Sequence, residues 1–365
     1  MIYKPFNNIN LPALGMGAMR LEGTTIDHAN DQIMIDFAMA NGVNFFDTAY
    51  VYGKDGASEK GLSDLLSKYP RESYYLSTKY MLRGGADYKA VFNEQLNRLK
   101  TDYLDVYMIH GITDSVCQQY IDNGCIEYFA EQKQKGIIKN FGFSSHACIE
   151  MLVKFLDYHT WDFTMIQLNY YDWLYGQAKQ EYETLMKYNM PVMVMEPIRG
   201  GKLASLSPEA EAILKEARPD WSVASWFLRW IKRFPEVQTV LSGMKEVEHL
   251  KENIKIFSSD DKLNKLNEEE EQLLFKACEK FREESSVLCT SCLYCIDDCP
   301  SEINIPKMIE LYNFCKTDKS WDVKKKIEDM DSKGKPCDCT SCGVCLSRCP
   351  QKIDVMSIIK ELSEK

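Results

Sequence analysis

The sequence has no apolar run approaching the roughly 18 residues that a membrane-spanning helix needs. It also lacks a positive net charge, since 54 Asp and Glu outnumber 44 Lys and Arg and leave a net charge of −10. We therefore expect neither a membrane nor a nucleic acid as a partner, because both attract basic surfaces. The chain opens with MIYKPFNNIN, which lacks the apolar segment of a secretory signal. Together these features predict a cytoplasmic protein.

Cysteine, by contrast, is plentiful, with 14 in 365 residues. A disulfide scaffold does not fit, because such scaffolds are short and secreted. Eight cysteines form two copies of C-x₂-C-x₂-C-x₃-C-P. We call these copies the first cysteine motif (Cys289, Cys292, Cys295, Cys299) and the second cysteine motif (Cys339, Cys342, Cys345, Cys349). Cys337, just before the second motif, is interpreted as a spare thiol.

This spacing is the one with which thiolates bind 4Fe–4S clusters. In two-cluster ferredoxins the fourth cysteine of each motif binds the other cluster. The pattern therefore predicts two ligand sets with exchanged fourth members: Cys289, Cys292, Cys295 and Cys349, and Cys339, Cys342, Cys345 and Cys299. Zinc is disfavoured as the metal, because zinc sites usually take their four ligands from C-x₂-C pairs. Each motif in this chain is instead a run of four cysteines that ends in proline.

The rest of the chain predicts an α/β fold. Eight apolar runs alternate with amphipathic stretches between Leu11 and Ile256: LGMGAM, NFFDTA, YYLSTK, LDVYMIH, IKNFGFSS, FTMIQLNY, MPVMVMEP and VQTVLSGM. Continuous apolar runs are typical of parallel strands buried on both faces. Eight such units favour a (β/α)₈ TIM barrel over a doubly wound sheet. We predict the barrel over residues 1–262, a linker helix over 263–284 and a small, mainly helical, ferredoxin-like domain with two 4Fe–4S clusters over 285–365.

Catalytic groups of TIM-barrel enzymes lie at the carboxyl ends of the strands. Four titratable residues occupy such positions in this sequence: Asp47, Tyr52, Lys79 and His110. Taken singly, each has an ordinary structural explanation, such as packing for the tyrosine. Their order along consecutive strand ends favours a shared catalytic role.

At these residues the chain resembles the aldo-keto reductase superfamily. The matching segments include NFFDTAYVYG, LSTKY, LDVYMIH, GFSS, IQLNY, EPIRGGKL and GMKEVEHLKENI. The resemblance implies an oxidoreductase that reduces a small-molecule carbonyl, or oxidises an alcohol, with a nicotinamide cofactor. It also implies a catalytic tetrad of Asp47, Tyr52, Lys79 and His110.

The chemistry of such a tetrad follows from the residue types. Hydride transfer to a carbonyl leaves an alkoxide that must be protonated. A tyrosine with an ordinary pKa of ~10 is a weak acid at neutral pH, and a nearby ammonium makes it a better one. We expect Lys79 to supply that ammonium and Asp47 to hold it, while His110 orients the substrate oxygen.

The resemblance implies further contacts with the cofactor. Ser144, Ser145 and Gln167 are expected to hold the nicotinamide amide, and Glu252 and Asn253 to meet the adenine. The glycine-rich loop after the seventh strand is a candidate pyrophosphate cradle, with a plain turn as the alternative. Its residues are Pro197, Arg199, Gly200, Gly201 and Lys202.

Several positions depart from the family pattern. Met195 replaces the usual stacking aromatic, and Gly243 and His249 replace the cations that clamp the 2′-phosphate of NADPH. The choice among NADH, NADPH and a flavin therefore stays open. Nicotinamides transfer two electrons as hydride, whereas 4Fe–4S clusters exchange one at a time. The alternative reading is a flavin- or ferredoxin-linked electron-transfer protein whose barrel does not use NAD(P), with ferredoxin or flavodoxin as a redox partner.

Overall fold

The fold was obtained from a computed structural model of the chain. The structure describes residues 1–20, 28–82, 87–259, 261, 265–284, 287–317 and 323–364. Residues 262, 263 and 285, at which the predicted domain boundaries fall, lie outside the described residues, and those boundaries stay predictions. The described residues form two compact units, one of residues 1–197 and 224–272 and the other of residues 198–223 and 273–365.

The first unit contains a closed barrel of eight parallel strands, as the sequence predicts. Each of the eight apolar runs contains a barrel strand, and β5 and β6 extend one and two residues beyond their runs. The strands are β3 (Leu14–Gly17), β4 (Phe45–Asp47), β5 (Tyr75–Tyr80), β6 (Leu104–Ile112), β7 (Ile138–Ser145), β8 (Thr164–Gln167), β9 (Val192–Met195) and β10 (Val237–Ser242).

Neighbouring barrel strands follow the chain order, and the last strand pairs with the first to close the ring. At the closing seam Val240 lies opposite Leu14 and Ser242 lies opposite Met16. Because all eight strands run in parallel, their carboxyl ends meet at one mouth. The strands are buried on both faces, which explains why each reads as a continuous apolar run.

An antiparallel hairpin that the sequence analysis did not predict precedes the barrel. It consists of β1 (Tyr3–Phe6) and β2 (Ile9–Pro12), joined by a two-residue turn. Asn7 takes a positive φ of 49° in this turn, which asparagine adopts more readily than most residues. The hairpin contributes Phe6 and Leu11 to the barrel core, where they pack with residues such as Phe45 and Phe163.

Helices alternate with the barrel strands along the chain. They are α1 (His28–Ala40), α2 (Ala57–Leu66), α3 (Tyr88–Leu99), α4 (Cys117–Asp122), α5 (Cys125–Gln134), α6 (Ile149–Tyr158), α7 (Tyr170–Tyr175), α8 (Ala178–Lys187), α9 (Pro208–Ala217), α10 (Val223–Trp230), α11 (Val247–Phe257) and α12 (Glu268–Glu284). None of the helices in the described parts of the chain combines the length and apolar character that crossing a membrane requires.

The second unit contains both cysteine motifs and is mainly helical, as predicted. Its remaining helices are α13 (Ile305–Thr317), α14 (Val323–Glu328), α15 (Val344–Arg348) and α16 (Val355–Ser363). Helices α13 and α16 pack together through an apolar core that includes Met308, Ile309, Ile358 and Leu362. Residues 198–223, which follow β9 in the chain, belong to this unit as well.

The tight packing between neighbouring barrel strands can be tested by a substitution at Gly142 in β7. A Cβ at this position would stand 2.4 Å from the carbonyl oxygen of Phe163. We expect Gly142→Ala to lower the free energy of unfolding by about 1–3 kcal/mol, because the added methyl group would force the backbone at Phe163 to move. Gly17→Ala is the matched control, since its Cβ would come no closer than 3.9 Å to a neighbour. Equal midpoints of urea unfolding for the two variants would contradict the packing argument.

Candidate functional site

A buried ion pair lies at the mouth of the barrel. Lys79 at the end of β5 donates to the carboxylate of Asp47 at the end of β4, with 2.5 Å between Nζ and Oδ2. Lys79 also donates to the carbonyl oxygen of Thr48 at 2.7 Å, and Ser77 donates to Asp47 Oδ1 at 2.8 Å. The lysine is 2% exposed, so its ammonium is fixed in direction by these acceptors.

Burial acts on both members of this pair. Removal from water raises the pKa of Asp47, and the charge of Lys79 opposes that rise. Removal from water likewise lowers the pKa of Lys79, and Asp47 opposes that fall. Each residue therefore depends on the other to stay charged, because a lone buried charge is costly.

Tyr52 and His110 lie beside this ion pair. The ammonium of Lys79 is 5.0 Å from the centroid of the Tyr52 ring. The rings of Tyr52 and His110 meet edge to face, with centroids 5.5 Å apart. His110 is buried on β6, and its carbonyl accepts a hydrogen bond from Tyr120. The structure thus brings together all four residues of the predicted tetrad.

A second layer of polar residues behind Lys79 was missed by the sequence analysis. Glu59 on α2 is fully buried, and it accepts hydrogen bonds from Thr78 at 2.7 Å and from Gln95 at 2.8 Å. Arg98 pairs with the other carboxylate oxygen of Glu59 at 3.0 Å. Gln95 also donates to the carbonyl of Lys79 at 3.1 Å. These contacts fix the strand that carries the lysine.

The spacing of residues along α2 could have revealed the polar residues behind Lys79. Glu59 shares a face of α2 with Leu62, Ser63 and Leu66, at spacings of three, four and seven residues. An acidic residue on an otherwise buried face must have a partner.

The predicted nicotinamide residues are buried and already hydrogen-bonded within the chain. Ser144 accepts from the backbone N–H of Gly111 at 2.7 Å, and Ser145 accepts from that of Ala147 at 3.2 Å. Gln167 at the end of β8 donates to Asp172 at 2.5 Å. All three predicted residues therefore lie at strand ends of the barrel, and their role in binding a cofactor stays a prediction.

The predicted adenine residues lie on α11. Asn253 is buried and donates to the hydroxyl of Ser242 at 3.4 Å, while Glu252 is partly buried. Gly243 and His249, where the family carries phosphate-binding cations, are exposed. The structure does not test contact between these residues and a nucleotide.

The glycine-rich loop after β9 turns sharply. Arg199, Gly200 and Gly201 all have positive φ, of 45°, 63° and 100°. Inside the loop, Gly201 donates to the carbonyl of Ile198 and Lys202 to that of Arg199. Pro197 and Arg199 are buried, whereas Lys202 is exposed. The predicted pyrophosphate contact of this loop is likewise untested.

In the second unit the thiols group as the exchanged arrangement predicts. Burial raises the pKa of the Cys295 thiol, and the adjacent Cys292, Cys349 and Cys289 add to the rise. We call Cys289, Cys292, Cys295 and Cys349 the first thiol set. Cys299 lines one cavity with three thiols of the second motif, and these four form the second thiol set: Cys299, Cys339, Cys342 and Cys345.

Four thiols around a shared space suit a cubane cluster, whose irons each take one cysteine. Among the described residues, no three His, Cys, Asp or Glu side chains converge closely enough for a single metal ion. Cys337 belongs to neither thiol set and is exposed. The donor chemistry and grouping thus fit two 4Fe–4S clusters.

Comparison with known proteins agrees with this geometry. The aldo/keto reductase family matches residues 13–271, and the 4Fe-4S dicluster domain matches residues 288–353. An uncharacterized oxidoreductase of Bacillus subtilis, YqkF, is 26% identical over 308 residues, which cover 74% of this chain and 96% of the relative.

Solved structures resemble the barrel as well. An aldo-keto reductase from Bacillus halodurans in its holo form has a TM-score of 0.61 at 24% identity and covers 76% of this chain and 96% of its own. An aldo/keto reductase from Klebsiella pneumoniae in complex with NADP and acetate has a TM-score of 0.59 at 21% identity and covers 74% of this chain and 92% of its own. At these identities the likeness supports the fold.

The chain therefore belongs to the aldo/keto reductase family. It is an aldo-keto-reductase-like oxidoreductase that carries a 4Fe–4S dicluster domain, and the resemblance seen in the sequence is confirmed.

The buried ion pair predicts a pH-dependent stability for a variant that lacks the lysine. We expect Lys79→Met to lower the free energy of unfolding by about 3–5 kcal/mol at a pH where Asp47 is ionised, because its carboxylate would be left buried without the ammonium that balances its charge. Burial raises the pKa of Asp47 and the opposing ammonium would be gone. The folded variant would then keep a proton that the unfolded chain loses near a pH of ~4. Its stability should therefore fall as the pH rises through the raised pKa of Asp47.

Urea unfolding at a series of pH values measures this effect. The control is the double variant Lys79→Met/Asp47→Asn, which has no carboxyl at position 47 to titrate and should lack the extra pH dependence. If the urea midpoint of Lys79→Met follows the same pH profile as that of the double variant, the explanation is refuted.

Proposed function

We propose that this protein reduces a carbonyl, or oxidises an alcohol, on a small molecule with a nicotinamide cofactor bound in the barrel. We also propose that two 4Fe–4S clusters couple to this reaction or regulate it. One observation carries the first proposal: the ammonium of Lys79, held by Asp47, lies 5.0 Å from the Tyr52 ring, which in turn contacts His110. A proton donor, a charge that stabilises its conjugate base and an orienting group are thus adjacent.

The nicotinamide, when bound, supplies or accepts hydride at the substrate carbon. In the direction of reduction, Tyr52 gives its phenolic proton to the substrate oxygen. The ammonium of Lys79 stabilises the phenolate that remains, and Asp47 keeps that ammonium charged and in place. His110 donates a hydrogen bond to the same oxygen and so orients the carbonyl. In the direction of oxidation the phenolate takes the proton back.

The cofactor proposal draws on both the chain and its relatives. Buried polar side chains at the ends of β7 and β8, namely Ser144, Ser145 and Gln167, would face the nicotinamide amide. Glu252 and Asn253 on α11 would face the adenine. A relative from Klebsiella pneumoniae is described in complex with NADP. Because the usual phosphate-binding cations are replaced by Gly243 and His249, we propose that NADH is accepted at least as well as NADPH.

For the second unit we propose that each thiol set holds one 4Fe–4S cluster. Each thiol set combines cysteines of both motifs, so each cluster would link the segment 289–299 to the segment 339–349. Clusters of this type exchange single electrons, and a small carrier such as ferredoxin or flavodoxin is the proposed partner. None of the described cysteines forms a disulfide. A reducing compartment preserves such thiols, which supports the cytoplasm as the proposed location.

Replacement of the proton donor tests the catalytic proposal. We expect Tyr52→Phe to lower kcat by about 10²- to 10⁴-fold with little change in KM, because the phenol acts at the proton-transfer step. Oxidation of NADH and NADPH by a panel of aldehydes, measured on anaerobic holoprotein, gives the rates. Tyr50→Phe is the matched control, since Tyr50 lies two residues away and bonds to Glu94 instead. A Tyr52→Phe variant as active as the parent would disprove the assignment.

Removal of one thiol tests the exchanged ligand sets. Cys349→Ser should lower the iron content from about eight to about four atoms per chain while leaving the other cluster intact. Cys299→Ser should do the same for the second thiol set. The two variants should therefore retain clusters with different electron paramagnetic resonance spectra. Cys337→Ser, at the exposed spare thiol, should keep the parent iron content. Identical residual spectra in the first two variants would contradict the exchange.

A further inference from the structure

A second carboxylate besides Asp47 lies near Lys79. It belongs to Glu59, the third residue of α2, and its side chain is fully buried. Burial lowers the pKa of Lys79, and the charges of Asp47 and then of Glu59 oppose that fall. Lys79 is therefore influenced by two carboxylates, one that it contacts directly and one that lies behind it.

Gln95 on α3 connects Glu59 to the main chain of Lys79. Its amide nitrogen donates to Glu59 Oε1 at 2.8 Å and to the carbonyl oxygen of Lys79 at 3.1 Å. Its amide oxygen accepts from the hydroxyl of Tyr107 at 2.7 Å, which fixes the direction in which the amide nitrogen faces. One amide group thus links the buried carboxylate to the peptide of the lysine.

Arg98, also on α3, connects Glu59 to the loop between β4 and α2, which carries the proposed proton donor. Its Nη1 pairs with Glu59 Oε2 at 3.0 Å and donates a long hydrogen bond of 3.5 Å to the main-chain carbonyl of Tyr50. Gly56 in the same loop has a positive φ of 72°, and an added Cβ there would overlap the guanidinium. The arginine therefore lies directly against the loop at two points.

The loop and the strand that carries Lys79 are also bonded to each other. The main-chain N–H of Tyr50 donates to the carbonyl oxygen of Lys79 at 3.2 Å, and Gln95 donates to the same oxygen. The relative position of these two segments sets the separation between the ammonium of Lys79 and the phenol of Tyr52. One carboxylate holds both segments, through Gln95 on one side and Arg98 on the other.

We propose that Glu59 is a positioning residue for proton transfer, which holds the ammonium of Lys79 and the phenol of Tyr52 at the separation that the reaction needs. This inference rests on the proposed function, since it takes Tyr52 as the proton donor. Glu59 acts through Gln95 and Arg98 and is itself fully buried, so it is not a catalytic residue.

The physical reason is the steep dependence of catalysis on geometry. A displacement of about 1 Å at a reacting group costs up to about 100-fold in rate. A carboxylate suits the positioning role, because it accepts several hydrogen bonds at once and charge-assisted bonds are the stronger ones. The guanidinium of Arg98 balances the charge that burial would otherwise make costly. An amide at position 59 keeps the shape but weakens these bonds.

An ion pair at the other end of the same strand supplies a matched control. Asp105 is buried, pairs with Arg71 at 2.7 Å and accepts from the N–H of Leu76 at 2.9 Å. Leu76 lies near the amino end of β5, whereas Lys79 lies near its carboxyl end. Asp105→Asn therefore removes a buried carboxylate that binds an arginine and β5, but at the end away from the mouth.

Steady-state reduction of an aldehyde with NADH by the anaerobic full-length holoprotein tests the inference. Glu59→Gln should lower kcat by about 10- to 100-fold and leave both KM values within about threefold of the parent. Asp105→Asn should lower the urea midpoint, as Glu59→Gln does, yet keep kcat within about threefold of the parent. An unchanged kcat in Glu59→Gln, or equal losses of kcat in the two variants, would overturn the inference.

A double-mutant cycle separates positioning from a purely structural role. In the Tyr52→Phe background, Glu59→Gln should lower the residual kcat by less than about threefold, because the donor that it positions is absent. A structural role would produce the same loss in both backgrounds and would refute the inference alone. Parental activity of Tyr52→Phe would instead refute the proposed function, and the inference with it, so the two failures are distinguishable.

The double variant Gln95→Met/Tyr107→Phe keeps the test valid if Glu59→Gln does not fold. It removes the donor to the carbonyl of Lys79 but preserves the ion pair of Glu59 with Arg98, and it leaves no hydroxyl at position 107 without its acceptor. Its kcat should fall by about tenfold or more. Tyr107→Phe alone is the control and should keep the parental kcat. A double variant as active as this control would contradict the inference.

Discussion

Closure of the parallel barrel is the constraint on which the candidate site depends. Because β10 pairs with β3, every strand of the ring has two neighbours, and all carboxyl ends lie at one mouth. Asp47, Lys79 and His110 come from three consecutive strands and are brought together by that geometry alone. A charged pair is tolerated so deep in the protein because each member neutralises the other, and the Glu59 layer behind it holds the strand in register.

Much of the barrel could be predicted from sequence because its strands are buried on both faces. Such strands appear in the sequence as short apolar runs, and each of the eight runs contains a strand in the structure. The tetrad could be found because its residues lie where the runs end. The hairpin was harder, since β1 and β2 have four residues each and little alternation. Glu59 was missed because an acidic residue on a helix usually faces water, and its burial depends on partners from two other elements.

Arg199 shows the limit of reading one chain. The surrounding segment contains Pro197, Gly200 and Gly201, which predict a turn and, with the cations of the loop, an anion site. The direction of a long side chain is decided by packing against residues far along the chain, here Leu288. The two cysteine motifs are a second example of surroundings that the sequence pattern does not reveal. Asp298 and Arg348 occupy equivalent positions in the repeat yet carry opposite charges, and the structure pairs them. A repeat in sequence therefore does not imply equal surroundings for the two halves.

The interleaving of the cysteine motifs has a consequence for how the protein matures. As the chain leaves the ribosome, the first motif emerges with three thiols for one site and one for the other. Cys349, which completes the first thiol set, follows Cys289 by 60 positions. With the proposed ligand sets, neither cluster could be enclosed before the second cysteine motif has left the ribosome. The barrel strands precede both motifs in the chain, so the barrel would by then have been synthesised and could fold before the clusters are bound.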